Sequence, residues 1–488
     1  MCGIAGFCNF KEDFEENTDY WNFRLEKMRA VLAHRGNDAR GRYLKKHIGL
    51  SHSRLAIRDI LCGDQPMTRT HNGYDYTICY NGEIYNTDEL IPELSENGFV
   101  CSTTSDTEVI LYAYIHWGAD FVNRLNGIFA FAIWDAAKNR LLLYRDRVGV
   151  KPLFYAIRGD SLVFGSEPKA CFAHPAVKPE LDKQGLQELL AIGPAHTSGL
   201  SLFKDLFEVL PGHFMIYSRD GLHDETYWEL TSREHTESYR DTVAHTRFLV
   251  EDAIKRQMVS DVPVCTFLSG GIDSSIVTAI AANYMNTRGK TLNTFSFDFK
   301  DNDRYFKANA FQPERDLPYV NRMLEEYETA HSYLECDENS LFKALFAAVD
   351  AKDMPGMTDV DSSLLYFCSL VSRKNKVALT GECADEIFGG YPWFYRKELL
   401  ERYGFPWSSD VAPRLALLRD DVGLELDLSG YQAFRYEESR SKAPLLYGEA
   451  GEDESRRIIG YLNIKWFMQT LLDRMDRTSM YSELEARV

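Results

Sequence analysis

The residue best suited to do chemistry in this sequence is Cys2, which directly follows Met1. Removal of Met1 would leave a cysteine that carries its own free α-amine. Because an α-amine has a pKa of about 8 and a thiol one of about 8.5, the amine can take the proton of the thiol beside it. A lone cysteine is more often a small buried residue, but this pairing is typical of an N-terminal nucleophile.

Other residues could supply what such a nucleophile needs to cleave the side-chain amide of glutamine. Arg54 has a planar fork that can bind an α-carboxylate, and Asp106 can accept hydrogen bonds from an α-ammonium. The side chain of Asn81 and the backbone N–H of Gly82 can form an oxyanion hole. An HRG turn lies at residues 34–36. Each feature also has a simpler explanation, as an exposed cation, a helix N-cap or a hairpin turn.

A second cluster lies at a turn between an apolar strand and a helix. Its two glycines let the backbone curl so that successive N–H groups point inward, and the start of the helix adds its dipole. Such a loop forms an anion-binding nest suited to pyrophosphate, and it is not a Walker A loop because no GK[ST] follows. The cluster consists of Ser269, Gly270, Gly271, Ile272, Asp273, Ser274 and Ser275.

Three acidic residues follow a later apolar strand, in the stretch LTGECADEIFGGYPWF. Glu382, Asp385 and Glu386 are so close in sequence that they would repel one another without a cation. Asp385 together with Asp273 could hold Mg²⁺, and Glu382 could act as a general base. The simpler explanation is that they are solvated acids at the start of a helix, which we favour for Glu386.

Two kinds of scaffold must position these groups. As far as residue 217, short strands and frequent turns predict a two-layer β-rich domain flanked by helices. The polar run at 231–237 is typical of a linker. Beyond it, strands that alternate with helices predict a parallel α/β sheet. The main predicted elements are strands at 76–80, 129–134, 140–144, 262–268, 291–297 and 376–380, and helices at 23–32, 107–116, 243–258, 274–284 and 461–475.

The motifs of the first part resemble the class II glutaminase domain of the asparagine synthetase family. They are MCGIAGF, AHRG, SRLAIRD, NGEIYN, TTSDTEVIL, YRDRVGVKPLFY and FGSEPKA, in this order. Asn37 is a departure, since proline usually follows HRG in the family. The resemblance implies a four-layer N-terminal-nucleophile (Ntn) hydrolase sandwich over 1–217. The glutamine-binding residues that it implies are Arg54, Leu55, Ala56, Ile57, Arg58, Asn81, Gly82, Glu83 and Asp106.

The later motifs resemble the PP-loop synthetase domain of the same family, with Cys383 and Ala384 in place of Gly and Ser in GEGSDEVFGGY. This resemblance implies a linker at 218–237 and an α/β ATP pyrophosphatase domain with a parallel sheet at 238–488. It also implies cleavage of ATP between the α and β phosphates, with Mg²⁺ on Asp273 and Asp385. The implied ATP and pyrophosphate ligands are Leu268, Ser269, Gly270, Gly271, Asp273, Ser274, Ser275, Phe297, Thr380 and Gly381.

Two departures concern the synthetase half. The segment GMTDVDSSLL at 356–365 has no arginine where family members often carry one near the acyl substrate. The block LLDRMDRTSMYSELEARV resembles one that normally continues toward a late catalytic lysine, and Thr478 and Glu483 replace its usual Met and Gly. We therefore expect residues to be missing after Val488. A protein that ended there would hydrolyse glutamine but form little aspartyl-adenylate.

The resemblance implies a glutamine-dependent asparagine synthetase in which Cys2, Asn81, Gly82 and Glu382 are catalytic and the substrates are glutamine, aspartate and ATP. A net charge of −18 argues against a nucleic-acid partner, including the RNA of a PP-loop tRNA-modifying enzyme. No targeting or membrane segment is evident, so we expect the cytoplasm; a homodimer is compatible with the sequence. The alternatives are a natural-product amidotransferase with another acyl acceptor and a glutamine-binding protein or glutaminase with an inactive synthetase half.

Overall fold

The computed structural model describes residues 2–308, 314–408 and 410–488. Its first domain contains two six-stranded antiparallel sheets, ordered β10-β8-β9-β1-β3-β2 and β12-β11-β7-β6-β5-β4. The strands are β1 (Gly3–Asn9), β2 (Ala39–Lys45), β3 (Ile48–Arg54), β4 (Met67–His71), β5 (Tyr74–Ile84), β6 (Gly127–Asp135), β7 (Arg140–Arg145), β8 (Phe154–Arg158), β9 (Ser161–Gly165), β10 (Phe207–Glu208), β11 (His213–Ser218) and β12 (Gly221–Thr226).

The two sheets pack face to face, and helices cover both outer faces. Strands such as β6, GIFAFAIWD, are apolar on both sides because one side faces the other sheet and the opposite side faces helices. The helices are α1 (Thr18–Ala30), α2 (Thr87–Glu96), α3 (Asp106–Trp117), α4 (Pro168–Phe172) and α5 (Lys183–Gln187). Helices α2 and α3 pack on the β5–β6 sheet, and α1 and α4 pack on the β1–β9 sheet. The predicted four-layer Ntn-hydrolase fold is confirmed.

The second domain is built on a five-stranded parallel sheet ordered β15-β14-β13-β16-β17, as the alternation of strands and helices predicted. Its strands are β13 (Val264–Phe267), β14 (Leu292–Phe299), β15 (Thr329–Cys336), β16 (Val377–Leu379) and β17 (Glu485–Arg487). Its helices are α6 (Tyr239–Gln257), α7 (Ile272–Asn286), α8 (Asn302–Tyr305), α9 (Leu317–Glu326), α10 (Glu338–Lys352), α11 (Thr358–Val371), α12 (Ala384–Phe388), α13 (Lys397–Leu400), α14 (Ala412–Leu415), α15 (Asp420–Leu426), α16 (Leu428–Arg440), α17 (Glu452–Leu462) and α18 (Met468–Met480).

Several local features differ from the sequence predictions. The segment 218–237, expected to be a linker, contains β12, which pairs with β11 along the edge of a first-domain sheet. The helix predicted at 461–475 is divided into α17 and α18 by a π-helical turn at Asn463–Phe467. Strand β17 has no counterpart among the strands predicted from the sequence. Among the described residues, no helix combines the length and the apolar character that crossing a bilayer would need.

Candidate active site

Cys2 lies immediately before β1, next to the end of β3. Strand β1 pairs with β3 so that Gly3 is opposite Ser53, which places Cys2 beside Arg54. Cys2 is buried, and burial raises the pKa of its thiol. The thiol therefore favours its protonated form and needs a base in order to react. Its own α-amine, once Met1 is removed, is the base that the sequence analysis assigned to it.

Asn81 contacts Cys2 through one end of its side-chain amide. The backbone nitrogen of Cys2 donates to Asn81 Oδ1 over 2.8 Å. Asn81 Nδ2 is buried and has no hydrogen-bond partner in the described part of the chain. Leaving a buried amide N–H without an acceptor costs free energy. Because Asn81 Nδ2 lies on a side chain that contacts the nucleophile, it is suited to donate to an oxyanion. Asn81 and Gly82 lie inside β5, opposite Ala130 and Phe129, so the hairpin-turn explanation is wrong.

Arg54 is buried, which rules out the exposed-cation explanation. Its guanidinium holds the loop that follows it: Nη1 donates to Ile60 O at 3.1 Å and to Asp64 Oδ1 at 2.8 Å, and Nη2 donates to Asp59 O at 2.5 Å. A Cβ at Gly36 would collide with the backbone of Arg54 and Leu55, so the HRG turn packs directly on this strand end. Arg54 thus organises the loop beside Cys2, and its contact with a substrate carboxylate stays a prediction.

We expect Arg54→Lys to weaken glutamine binding by about 1.5–3 kcal/mol, the scale of charged hydrogen bonds. Lysine keeps the charge but cannot bond the loop carbonyls and a carboxylate at once. The measurement is the glutamine KM of hydrolysis, compared with Arg124→Lys, which changes an exposed arginine of the same domain that pairs with Glu93. An unchanged KM in Arg54→Lys would contradict a role in glutamine binding.

Asp106 is the first residue of α3, and its carboxylate lies beside the end of β5 in a cluster of charged groups. Its Oδ2 accepts from Tyr80 OH at 2.9 Å and from the backbone N–H of Ile84 at 3.0 Å. Burial raises the pKa of Asp106, and burial together with the Asp106 charge raises that of Glu83. The cap of α3 is Ser105, so the N-cap explanation for Asp106 is wrong. Carboxylates that are costly to bury here would gain from a bound ammonium.

The remaining predicted glutamine ligands surround this pocket. Leu55, Ala56 and Ile57 are buried in the segment that follows β3. The carbonyl oxygen of Leu55 lies 4.0 Å from the Cys2 thiol. Arg58 donates to Ile84 O at 3.1 Å and has its Nη1 3.6 Å from a Glu83 carboxylate oxygen. The structure thus brings the predicted glutaminase residues together around Cys2.

The SGGIDSS loop joins β13 to α7 at the carboxyl edge of the parallel sheet. Ser274 Oγ connects the two ends of the loop: it accepts a hydrogen bond from Ser269 N at 3.2 Å and lies 3.0 Å from Ser269 Oγ. Gly270 has a φ of +85°, which favours glycine, and Gly271 precedes the first turn of α7. Leu268 is buried and its N–H donates to Phe295 O. Ligands of such sheets bind at this carboxyl edge.

The loop after β16 lies directly against the SGGIDSS loop. A Cβ at Gly381 would meet Asp273 Cβ at 2.8 Å and Ser274 N at 2.7 Å, and Thr380 N donates to Arg487 O. Phe297, on β14, is half-buried at the same edge. The ten predicted ATP and pyrophosphate ligands therefore meet at the carboxyl edges of three adjacent strands.

Asp273 and Asp385 lie close enough for the charge of one carboxylate to affect the other. Burial and then the charge of Asp385 raise the pKa of Asp273, and burial raises that of Asp385. Within the described ranges, no group of three or more His, Cys, Asp or Glu side chains could hold a metal by itself. Because Mg²⁺ commonly takes one or two carboxylates together with substrate phosphates, this pair fits such a site.

Glu382 and Glu386 have different surroundings. Glu382 Oε1 accepts from Arg474 Nη2 at 2.7 Å and stays partly exposed. Glu386 is only 2% exposed, accepts from Tyr391 OH at 2.5 Å, and has its pKa raised by burial. The interpretation of Glu386 as a solvated acid at a helix start is wrong, because α12 turns it inward toward Tyr391.

Three residues of the synthetase domain that have no predicted role contact residues of these sites. Arg474 holds Glu382, Asp476 binds Arg35 at 2.8 Å, and Arg487 Nη2 lies 3.3 Å from Glu83 Oε2. All three lie in the block LLDRMDRTSMYSELEARV. This block combines many charged residues with apolar ones. Because buried charges need partners, that combination was the signal that could have indicated ion pairs with the rest of the chain.

The fold and the two pockets define an amidotransferase: an Ntn glutaminase domain joined to a PP-loop domain. A family model described as "Glutamine amidotransferase domain" matches residues 1–228, and one described as "Asparagine synthase" matches residues 245–488. The chain belongs to the glutamine-hydrolysing asparagine synthetase family.

Curated relatives agree with this family. The chain is 48% identical over its whole length to "Asparagine synthetase [glutamine-hydrolyzing] 3" of Bacillus subtilis (strain 168), of which it covers 79%. It is 33% identical to "Asparagine synthetase [glutamine-hydrolyzing] 1" of the same organism, over 82% of this chain and 60% of that protein. It is 32% identical to "Putative asparagine synthetase [glutamine-hydrolyzing] 2" of Methanocaldococcus jannaschii, over 80% of this chain and 76% of that protein.

Proposed function

We propose that this chain converts aspartate to asparagine with ATP, using ammonia that it releases from glutamine. The observation that carries the proposal is the hydrogen bond from the Cys2 nitrogen to Asn81 Oδ1. The Nδ2 atom of the same amide has no acceptor among the described residues. That arrangement presents a nucleophile and an oxyanion donor side by side. The PP-loop pocket in the same chain supplies the means to activate a carboxylate.

In the glutaminase step, the Cys2 thiol gives its proton to its own amine and the sulfur attacks the side-chain amide carbon of glutamine. Asn81 Nδ2 and the Gly82 N–H stabilise the oxyanion. The carbon–nitrogen bond breaks, the nitrogen leaves as ammonia, and water then hydrolyses the thioester to glutamate. Asp106 and Arg54 are proposed to hold the ammonium and carboxylate ends of glutamine.

In the synthetase step, the β-carboxylate of aspartate attacks the α-phosphorus of ATP and pyrophosphate leaves. The loop from Ser269 to Ser275 binds the phosphates through its N–H groups and the start of α7. Ammonia then attacks the acyl carbon, Glu382 takes a proton, and AMP leaves. Asp273 and Asp385 would hold Mg²⁺, which when bound offsets phosphate charge.

The direct test of this function is an assay of three products. Purified protein with glutamine, aspartate, ATP and Mg²⁺ should yield glutamate, AMP and asparagine in equal amounts. A panel of other carboxylic acids in place of aspartate tests the acyl acceptor. Glutamate release without asparagine or AMP would contradict the synthetase assignment, and a product from another acid would contradict aspartate as the substrate.

We also propose a magnesium role for the acidic pair. Asp385→Asn should raise the Mg²⁺ concentration for half-maximal, aspartate-dependent pyrophosphate release by about tenfold or more, because the cation loses a charged ligand. Asp420→Asn is the matched control, since Asp420 also lies in the first turn of a helix but is exposed. An equal Mg²⁺ requirement in both variants would assign Asp385 a structural role only.

Ten free cysteines fit a reducing compartment, and we propose the cytoplasm on that ground. A homodimer is the assembly that the sequence leaves possible. Sedimentation or light scattering of the purified protein tests it, and a monomer across the micromolar range would contradict it.

A further inference from the structure

Arg35, in the HRG turn, joins the nucleophile to the other domain. The residue is 0% exposed, and its guanidinium donates hydrogen bonds to three acceptors. Nε donates to the carbonyl oxygen of Cys2 at 3.0 Å, Nη1 donates to Glu167 Oε1 at 2.8 Å, and Nη2 donates to Asp476 Oδ2 at 2.8 Å. The backbone of the nucleophile is therefore held by a cation that is itself held from two sides.

Asp476 belongs to the synthetase domain, but its carboxylate binds two cationic side chains of the glutaminase domain. It is 2% exposed, and its second oxygen accepts from Lys151 Nζ at 3.1 Å. Both cations, Arg35 and Lys151, belong to the first domain and are fully buried. Both oxygens of this buried carboxylate accept hydrogen bonds from the first domain. Burying the carboxylate costs desolvation free energy, and that cost is offset only if both cations are present.

Helix α18 carries Asp476 and also Arg474, which contacts Glu382 of the synthetase site. Arg474, which donates to Glu382, is two residues before Asp476. Because an α-helix turns about 100° per residue, residues two apart point about 200° apart. One helix of 13 residues therefore reaches Glu382 on one side and Arg35 on the other.

We propose that Asp476 is a positioning residue for glutamine hydrolysis: through Arg35, the synthetase domain fixes the backbone of Cys2 in its reactive position. This inference rests on the proposed function. Without Asp476, Arg35 keeps Glu167 as its anion and is drawn toward it, so the Cys2 carbonyl loses a fixed donor. The residues proposed to bind glutamine, Arg54 and Asp106, do not contact Asp476.

The test is Asp476→Asn, which keeps the shape and removes the charge. The kcat of glutamine hydrolysis should fall by about tenfold to a hundredfold, the scale of a misplaced reacting group. The KM for glutamine should stay within about twofold, because the substrate contacts remain. Alkylation of Cys2 by a γ-electrophilic glutamine analogue, followed by mass of the N-terminal peptide, should slow by the same factor as kcat.

The matched control is Asp473→Asn, one turn earlier on α18. Asp473 lies 3.6 Å from Lys352 and 3.9 Å from Arg477, both in its own domain. Its glutaminase kcat should match the wild type. If Asp476→Asn folds poorly, the variant with both Lys151→Met and Asp476→Asn removes opposite charges together and should show the same kcat loss.

Two results would overturn the inference: an unchanged kcat in Asp476→Asn, or an equal loss in Asp473→Asn. Either would make Asp476 a buried charge of the domain interface only. A wild-type protein that releases no ammonia from glutamine would contradict the proposed function instead. Alkylation of Cys2 by iodoacetamide, which needs no glutamine site, would then still compare Cys2 in the two variants, and equal rates would overturn the positioning role.

Discussion

Cys2→Ala is expected to abolish asparagine formation from glutamine while synthesis from added ammonia stays within about twofold of the wild type. The substitution removes the sulfur, which is the atom that forms the thioester in the proposed mechanism. Without the nucleophile the covalent intermediate cannot form, so the glutamine-dependent rate should drop by about a thousandfold or more. The two chemistries share only free ammonia.

The measurement is asparagine formed with each nitrogen donor at saturating ATP and aspartate. Cys101→Ala is a suitable control, because Cys101 is a half-buried thiol of the same domain between α2 and α3. It should leave both rates unchanged. Equal loss with glutamine and with ammonia in Cys2→Ala would refute a model of two separate sites.

Glu382→Gln is expected to stop amide formation with either nitrogen donor and to spare glutamine hydrolysis. A general base in this position contributes about 10²–10⁴-fold, and glutamine cannot accept the proton of the attacking ammonia. The ion pair with Arg474 fixes the carboxylate, with 2.7 Å between Arg474 Nη2 and Glu382 Oε1. Adenylation precedes this step, so exchange of labelled pyrophosphate into ATP in the presence of aspartate should persist.

Glu386→Gln provides the matched control for this variant. It makes the same substitution four residues later, on a buried carboxylate that bonds to Tyr391. It should retain amide synthesis, although it will be less stable if Tyr391 loses its acceptor. The general-base role falls if the two variants lose amide synthesis to the same extent, or if Glu382→Gln loses pyrophosphate exchange as fully as amide formation.

The interface between the domains explains why both variants should be selective. Buried ion pairs cross it at Arg35–Asp476, Lys151–Asp476 and Glu83–Arg487. None of these pairs includes the side chain of Cys2 or of Glu382. Changes confined to one catalytic side chain leave them in place, so the partner site keeps its geometry.

Local sequence was sufficient to predict most of the elements and to select two groups of residues that the fold brings together. Apolar runs such as 129–134 and 140–144 indicated the buried strands β6 and β7, and strands alternating with helices indicated the parallel sheet. The motif around Cys2 and the loop from Ser269 to Ser275 predicted a nucleophile and a phosphate-binding loop. These signals are local because periodicity, glycine and capping act within a few residues.

Only the tertiary structure decided what the charged residues do. It buried Arg54 and Glu386, which excludes the exposed cation that was the simpler explanation for Arg54 and the solvated acid that was expected for Glu386, and it placed Asn81 within a strand. Arg35 and Asp476 are 441 residues apart in the chain, and their contact is set by how the two domains pack. Burial of a charge depends on the whole surrounding surface, so no local pattern encodes it. The sequence by itself determined which chemistry is present, and the packing of the domains determined which side chains hold it in place.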